Sequence, residues 1–250
     1  MPEGLALALA APGLVWLIVT SFVAGLVYGF AGFGSALIFM PVGAALLSAP
    51  VAIAAFSLSS LASLFTVMPG AWRAADRRVV TIMIAIAVVC TPPGVWLLGA
   101  LPAEVIRTAV SAVVLLTLAA LVGGWRIRAG GGWGARGAVA ALAGLLGGST
   151  GLSGPPVILF NLGTDQPVAV TRANLTVFLT VSSLSFIPQL WAQGLLAREA
   201  LWLGAILFAP YALGTRAGRA LFDPARAALY RGVAYVVIGL AGVAGLPLFG

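Results

Sequence analysis

Long apolar runs separated by short arginine-bearing stretches account for almost the whole chain. They fall at about 5–30, 34–48, 51–71, 79–100, 105–124, 137–150, 152–163, 170–192, 200–215 and 228–248. Several approach the roughly 20 residues a helix needs to cross a bilayer. Three are short and interrupted by glycine, 34–48, 137–150 and 152–163. They read as half-helices or thin hairpins rather than full spans. A β-barrel would alternate apolar and polar residues, and no such alternation occurs. The pattern predicts an all-α polytopic membrane protein. Composition strengthens this, because 62% of the 250 residues are hydrophobic and only 8% charged. A soluble domain of this length could not hide so much apolar surface.

Charge then gives orientation. Met1–Glu3 carries no basic residue, so the first apolar stretch reads as a retained helix and not as a cleavable signal. With the loop holding Arg73, Arg77 and Arg78 placed in the cytoplasm, alternation puts Arg126, Arg128, Arg136, Arg172, Arg216, Arg219, Arg226 and Arg231 on the same side. Only Arg107 and Arg198 fall outside, a strong positive-inside bias that makes both termini external. The arginines lie between apolar segments and not in one patch, so a nucleic-acid partner is not expected.

The two halves resemble each other at an offset of 119 residues, where "AGLVYGFAGFG" lies over "AGLLGGSTGLS". Gly25, Gly29 and Gly32 fall on Gly144, Gly148 and Gly151, and further on Pro69 falls on Pro188 and Trp72 on Trp191. With about five segments in each half, an odd number, the repeats enter the membrane in opposite orientation. This is the pattern of secondary transporters whose substrate binds where inverted repeats meet. The expected organisation is an N-terminal repeat over 1–124, a cytoplasmic linker over 125–136 and an inverted repeat over 137–250.

Several chemistries lose a required part. The single cysteine, Cys90, excludes an internal disulfide, and the absence of histidine removes the usual zinc and Ser-His-Asp sites. No metal or cofactor is expected. Lysine is absent, so no GxxxxGK[ST] phosphate loop exists for ATP-driven pumping. No acid is clearly buried in the pattern, so a carboxylate proton relay is not visible.

What remains is concentrated at the two glycine breaks. Glycine turns the chain and lets a ligand approach, and each break is followed by a helix start whose first N–H groups lack intrahelical partners. Such starts bind anions. The candidate substrate residues are Gly32, Phe33, Gly34 and Ser35 at the first break, and Ser149, Thr150, Gly151, Ser153 and Gly154 at the second. Pro155 and Pro156 suit a first helical turn. Asn174 is a further ligand candidate. Ser63 and Thr66, with their counterparts Ser182 and Ser185, and Arg172 are candidates for a polar path. Close packing through small residues is the structural alternative for the glycines.

The stretches "GFAGFGSALIFMP", "GLLGGSTGLSGPPVILF", "TRANLTVFL" and "GTRAGRALFDPARAALYRGVAYVVIGLAGV" resemble the TauE/SafE family of sulfite exporters and related permeases. The resemblance covers nearly the whole chain. It implies transport of sulfite, organosulfonates or other sulfur-containing anions across the bacterial inner membrane. Where the family commonly carries triple glycines, this chain has "GFGS" and "LSGPP", which leaves the particular anion open. The expected protein is a secondary transporter of a small sulfur-containing anion, with a proton or sodium ion as possible coupling partner and its oligomeric state left open. A passive anion channel, or a membrane sulfur-transfer or redox-assembly protein using Cys90, are the alternatives.

Overall fold

The computed structural model describes residues 3–127, 132–164, 166–221 and 227–246, and these are all-helical. The first part holds α1 (Glu3–Leu9), α2 (Leu14–Ala31), α3 (Ser35–Leu46), α4 (Ala49–Ser60), α5 (Ala62–Thr66), α6 (Met68–Ala74), α7 (Arg77–Ala100) and α8 (Ala103–Val122). The second holds α9 (Trp133–Thr150), α10 (Gly154–Asn161), α11 (Val168–Leu184), α12 (Phe186–Ala192), α13 (Arg198–Leu221) and α14 (Ala227–Ala244). Six stretches are long and apolar enough to cross a membrane: α2, α4 with α5, α7, α8, α11 with α12, and α13.

Local chemistry explains the boundaries. Asp76 caps α7, its carboxylate accepting from the Val79 N–H at 3.2 Å. Pro102 and Pro167 precede α8 and α11. The serines of "SLSS" donate to carbonyls of their own helix, Ser57 to Ile53, Ser59 to Phe56 and Ser60 to Ser57. Such bonds loosen and bend a helix, and α4 gives way to α5 at Leu61.

Two expectations need correction. The run 5–30 is not one helix: Pro12 and Gly13, the latter at φ 66°, separate α1 from α2. The second break is not preceded by a half-helix at 137–150. The helix begins at Trp133 and has 18 residues, the same as α2. Each is about 27 Å long. The pattern missed this because the first turns of α9, "WGARG", are polar enough to resemble a loop.

Contacts sort the helix ends into two faces. Arg78 and Arg136 both stack on Trp133, 5.8 and 5.2 Å from the ring centre. The backbone N–H of Asp76 donates to Asn174 at the start of α11. Arg219 reaches the end of α5, and Arg172 reaches the end of α2. At the opposite end, Gly4 lies against Arg198 and Trp202, and Arg107 donates to the Gly245 carbonyl. Arg78, Arg136, Arg172 and Arg219 thus lie toward one set of helix ends, and Arg107 and Arg198 at the other. Arg128 and Arg226 lie outside the described residues. All seven tryptophans are exposed and sit near helix ends, as interfacial anchors do. We call the end bearing Arg78, Arg136, Arg172 and Arg219 the arginine face.

The helices interlace across the chain. α2 packs along α13, and α9 packs along α7. Both crossings depend on glycine. A Cβ at Gly25 would stand 2.5 Å from the Tyr211 carbonyl oxygen, and one at Gly29 2.5 Å from that of Thr215. Their sequence counterparts Gly144 and Gly148 would meet the Ala87 and Thr91 carbonyls in the other crossing. These four glycines are packing devices, permitting close backbone approach. α2 runs toward the arginine face, whereas α9 starts from it.

Candidate functional site

The glycines that make the breaks differ from those in the crossings. Gly32 closes α2 at φ 79°, ψ 4°, and Gly151 closes α9 at φ 75°, ψ 5°. Only glycine holds this left-handed conformation at little cost. Three residues later a new helix begins in each case, at Ser35 and at Gly154.

Both new helix starts face one cavity. Gly34 and Ser35 line it from α3, and Gly151, Ser153 and Gly154 from α10. Its volume is about 30 Å³, room for roughly two or three waters at about 10–15 Å³ each. It lies about halfway along the spans, beside Tyr211 near the middle of α13 and Thr180 well inside α11.

Donors converge on this space. In α3 the first intrahelical bond is from Ile38 to the Gly34 carbonyl, 3.1 Å. The N–H groups of Gly34, Ser35, Ala36 and Leu37 are therefore left over. Pro155 and Pro156 open α10, as their fixed φ favours. They also lack N–H groups, leaving Ser153 and Gly154 to supply the donors of that turn. Neither helix start has a side-chain cap. The Ser153 hydroxyl has no protein hydrogen-bond partner among the described residues and borders the cavity.

A ring of hydroxyls completes the lining. Ser60 and Ser183 share a hydrogen bond of 2.7 Å, joining α4 to α11. Ser63 donates to the Tyr211 hydroxyl at 3.4 Å. Tyr28 donates to the Thr176 carbonyl at 2.9 Å and lies 2.8 Å from the Thr180 hydroxyl. Phe56 stands edge-on to Tyr211, ring centres 6.0 Å apart. No carboxylate lines the cavity among the described residues. Donors without a countercharge suit a small anion.

Of the candidate substrate residues, Gly34, Ser35, Gly151, Ser153 and Gly154 meet at the cavity, as does the path candidate Ser63. The rest do not line it. Gly32 lies against Arg172 and Thr176 in a neighbouring cavity, and Phe33 is buried on the far side of the turn beside Arg172. Ser149 donates to the Leu145 and Leu146 carbonyls, and Thr150 to Leu146, so both hydroxyls serve their own helix. Asn174 accepts from the Asp76 N–H at 2.8 Å and donates to Gln166, tying α11 to the start of α7. Thr66 donates to Ala62 and Ser185 to Ser182, within their helices. The Ser182 hydroxyl is buried without a partner but does not reach the cavity.

Tyr28, Tyr211 and Ser60 were not among the candidates. A tyrosine inside an apolar helix signals a buried hydroxyl that needs a partner; that signal was present in "LVYGF" and was not used.

The family model described as sulfite exporter TauE/SafE matches residues 17–245. The chain belongs to the TauE/SafE family. Comparison with curated proteins and with solved structures found no match. Membership makes this a multi-pass membrane transporter of a family that carries sulfur-containing anions, not an enzyme. Within the TauE/SafE chain, Cys90 is a free, half-buried residue on α7, away from the cavity.

Proposed function

We propose that the chain is a secondary transporter of the bacterial inner membrane that holds its anion in the central cavity. The ligands are the free N–H groups opening α3 and α10 and the hydroxyls of Ser35, Ser60, Ser63, Ser153 and Ser183. The observation that carries this reading is the meeting of two breaks, 119 residues apart in sequence, at one small donor-rich cavity. Sulfite, or the sulfonate end of a small organosulfonate, matches the donor set.

We further read the halves, 1–124 and 137–250, as inverted repeats. Helix ends support this: α3 and α10 begin 119 residues apart, as do α4 and α11. α6 and α12 have seven residues each and contain Pro69 and Pro188. The crossings correspond too, since α2 on α13 becomes α9 on α7 when the halves are exchanged. Alternating access then comes from one half rocking against the other. The arginine face is cytoplasmic in this reading, and both termini are external. A proton or sodium ion is the coupling partner.

Purified protein in liposomes tests it, with sulfite, sulfate, thiosulfate, short sulfonates and carboxylates offered in turn. Saturable, gradient-coupled flux of a sulfur-containing anion is expected. Flux that never saturates would make the protein a channel, and flux of carboxylates alone would overturn the substrate class.

A further inference from the structure

α13 is long and apolar enough to cross a membrane, and its main exposed line carries one charge. That line runs through Trp202, Ala205, Ala209, Leu213, Arg216 and Ala220, at the three- and four-residue steps of a single helix face. Leu213, one turn before Arg216, is 60% exposed. Arg216 sits five residues before α13 ends at Leu221, a depth of about 7.5 Å along the axis.

Beside Arg216 is an indentation of about 340 Å³, lined by Phe65, Thr66, Arg216, Arg219 and Ala220. Phe65 is 74% exposed. Arg219 donates to the Thr66 carbonyl at 2.7 Å, which occupies part of a guanidinium rich in donors. Arg216 makes no hydrogen bond or ion pair among the described residues. No carboxylate lines the indentation among them either.

Topology alone does not require this placement. Arg77 and Arg78 mark the same end of the molecule from the start of α7, each seated over a tryptophan ring. Arg216 stands inside a helix instead, with Arg219 one turn on and an exposed phenyl ring beside the pair. A charge on a face that meets lipid is costly unless it reaches the interface or a partner. From this depth an extended arginine reaches the headgroup level. Phosphate oxygens match its planar fork, and Phe65 and Leu213 offer acyl chains an apolar surface. Charge then selects the headgroup. A zwitterionic lipid would bring an ammonium toward two cations with no carboxylate in the lining to receive it, whereas an anionic lipid brings none.

We infer that Arg216 and Arg219 hold the phosphate of an anionic phospholipid in the leaflet at the arginine face, with its acyl chains along Phe65 and Leu213. The site joins the end of α13 to the end of α5. It stands apart from the central cavity, so its failure would leave the transport reading untouched.

Native mass spectrometry of the detergent-purified full chain tests this, with phosphatidylglycerol and phosphatidylcholine of matched acyl chains titrated separately. The wild type should bind phosphatidylglycerol about fivefold more tightly than phosphatidylcholine. Arg216→Gln should lose about fivefold in affinity for phosphatidylglycerol and nothing for phosphatidylcholine, while Arg216→Lys should stay within about twofold of the wild type. Arg198→Gln removes the same charge at the opposite face and should leave phosphatidylglycerol binding unchanged. Equal affinity for the two lipids, indifference to Arg216→Gln, or an equal loss from Arg198→Gln would overturn the site. Displacement of bound phosphatidylglycerol by inorganic phosphate would also overturn it, giving the arginines to a soluble anion. A wild type that binds no phosphatidylglycerol but forms a dimer would give the patch to a second copy. Arg216 bonds to no described protein group, so its replacement should not unfold the chain. If Arg216→Gln nevertheless fails to accumulate, the preference of the wild type between the two lipids decides.

Discussion

Ser153→Ala isolates one ligand bond of the proposed central site. The Ser153 hydroxyl borders the cavity and bonds to no protein group among the described residues. Its removal therefore strands no buried donor or acceptor, and the fold should not register the loss. A hydrogen bond to a charged ligand contributes about 1.5–3 kcal/mol net. The lower figure corresponds to roughly a tenfold weaker Kd, the upper to roughly a hundredfold or more. Calorimetric titration of sulfite into the detergent-purified protein measures this, with thermal unfolding run in parallel. Ser149→Ala is the control four residues earlier. Its hydroxyl is spent on the Leu145 and Leu146 carbonyls, 3.0 and 3.3 Å away, so its Kd should move by less than about twofold. Equal Kd values for the two variants and the wild type would refute the assignment of α10 to the ligand. A matched fall in Tm and affinity for Ser153→Ala would refute the claim that this hydroxyl is free for the substrate.

Other outcomes follow from the same structure. Gly34→Ala should lower both Tm and transport, because φ is 96° there and a side chain in that region costs roughly 1–2 kcal/mol. Gly154→Ala should do neither, since its backbone is helical and the new Cβ meets only side-chain tips, Ile158 at 3.2 Å and Leu179 at 3.5 Å; valine at either position should abolish flux. Gly29→Ala should destabilise by about 1–3 kcal/mol, read as a lower Tm, since its Cβ would stand 2.5 Å from the Thr215 carbonyl oxygen. A cysteine at position 75 in an otherwise transport-competent Cys90→Ser protein should resist an impermeant external thiol reagent, and strong labelling would reverse the assigned orientation.

What could be read from the chain alone was the part governed by backbone geometry. Gly32 and Gly151 announce themselves because few other residues hold a positive φ, and the Pro155–Pro156 pair marks a helix start in any context. Hydroxyls were harder, because a serine in an apolar helix has three uses that look identical in sequence. Ser149 and Thr150 bond to their own helix, Ser60 bonds across to Ser183, and Ser153 is left for the cavity. Only packing separates these cases. Asn174 resembled a buried ligand for the same reason; it completes the turn at Asp76 instead. The second helix before a break was underestimated because α9 opens with small and basic residues. Hydropathy weighs those against a helix, although Trp133 and Arg136 are the side chains that anchor a helix end at an interface.

The two sides of the central cavity are not equally hard to open. Toward the arginine face the separation is Tyr28, held by its bonds to Thr176 and Thr180. Breaking two such bonds costs about 1–3 kcal/mol, less if water or the anion replaces them. Toward the other face the second break is packed against Ile53 and Met40, so closely that a Cβ on Gly151 would lie 3.0 Å from both side chains. Opening there requires helices to separate, because packed apolar side chains leave no path by rotating alone. In the proposed cycle a side-chain movement admits the anion from the arginine face, and rocking of the halves releases it to the other. Gly25 and Gly29 of α2, packed against α13, and Gly144 and Gly148 of α9, packed against α7, lie at the two crossings where such rocking must act. Backbones in direct contact at those points can pivot with little side-chain repacking, while the breaks carried at the ends of α2 and α9 are swept across the cavity.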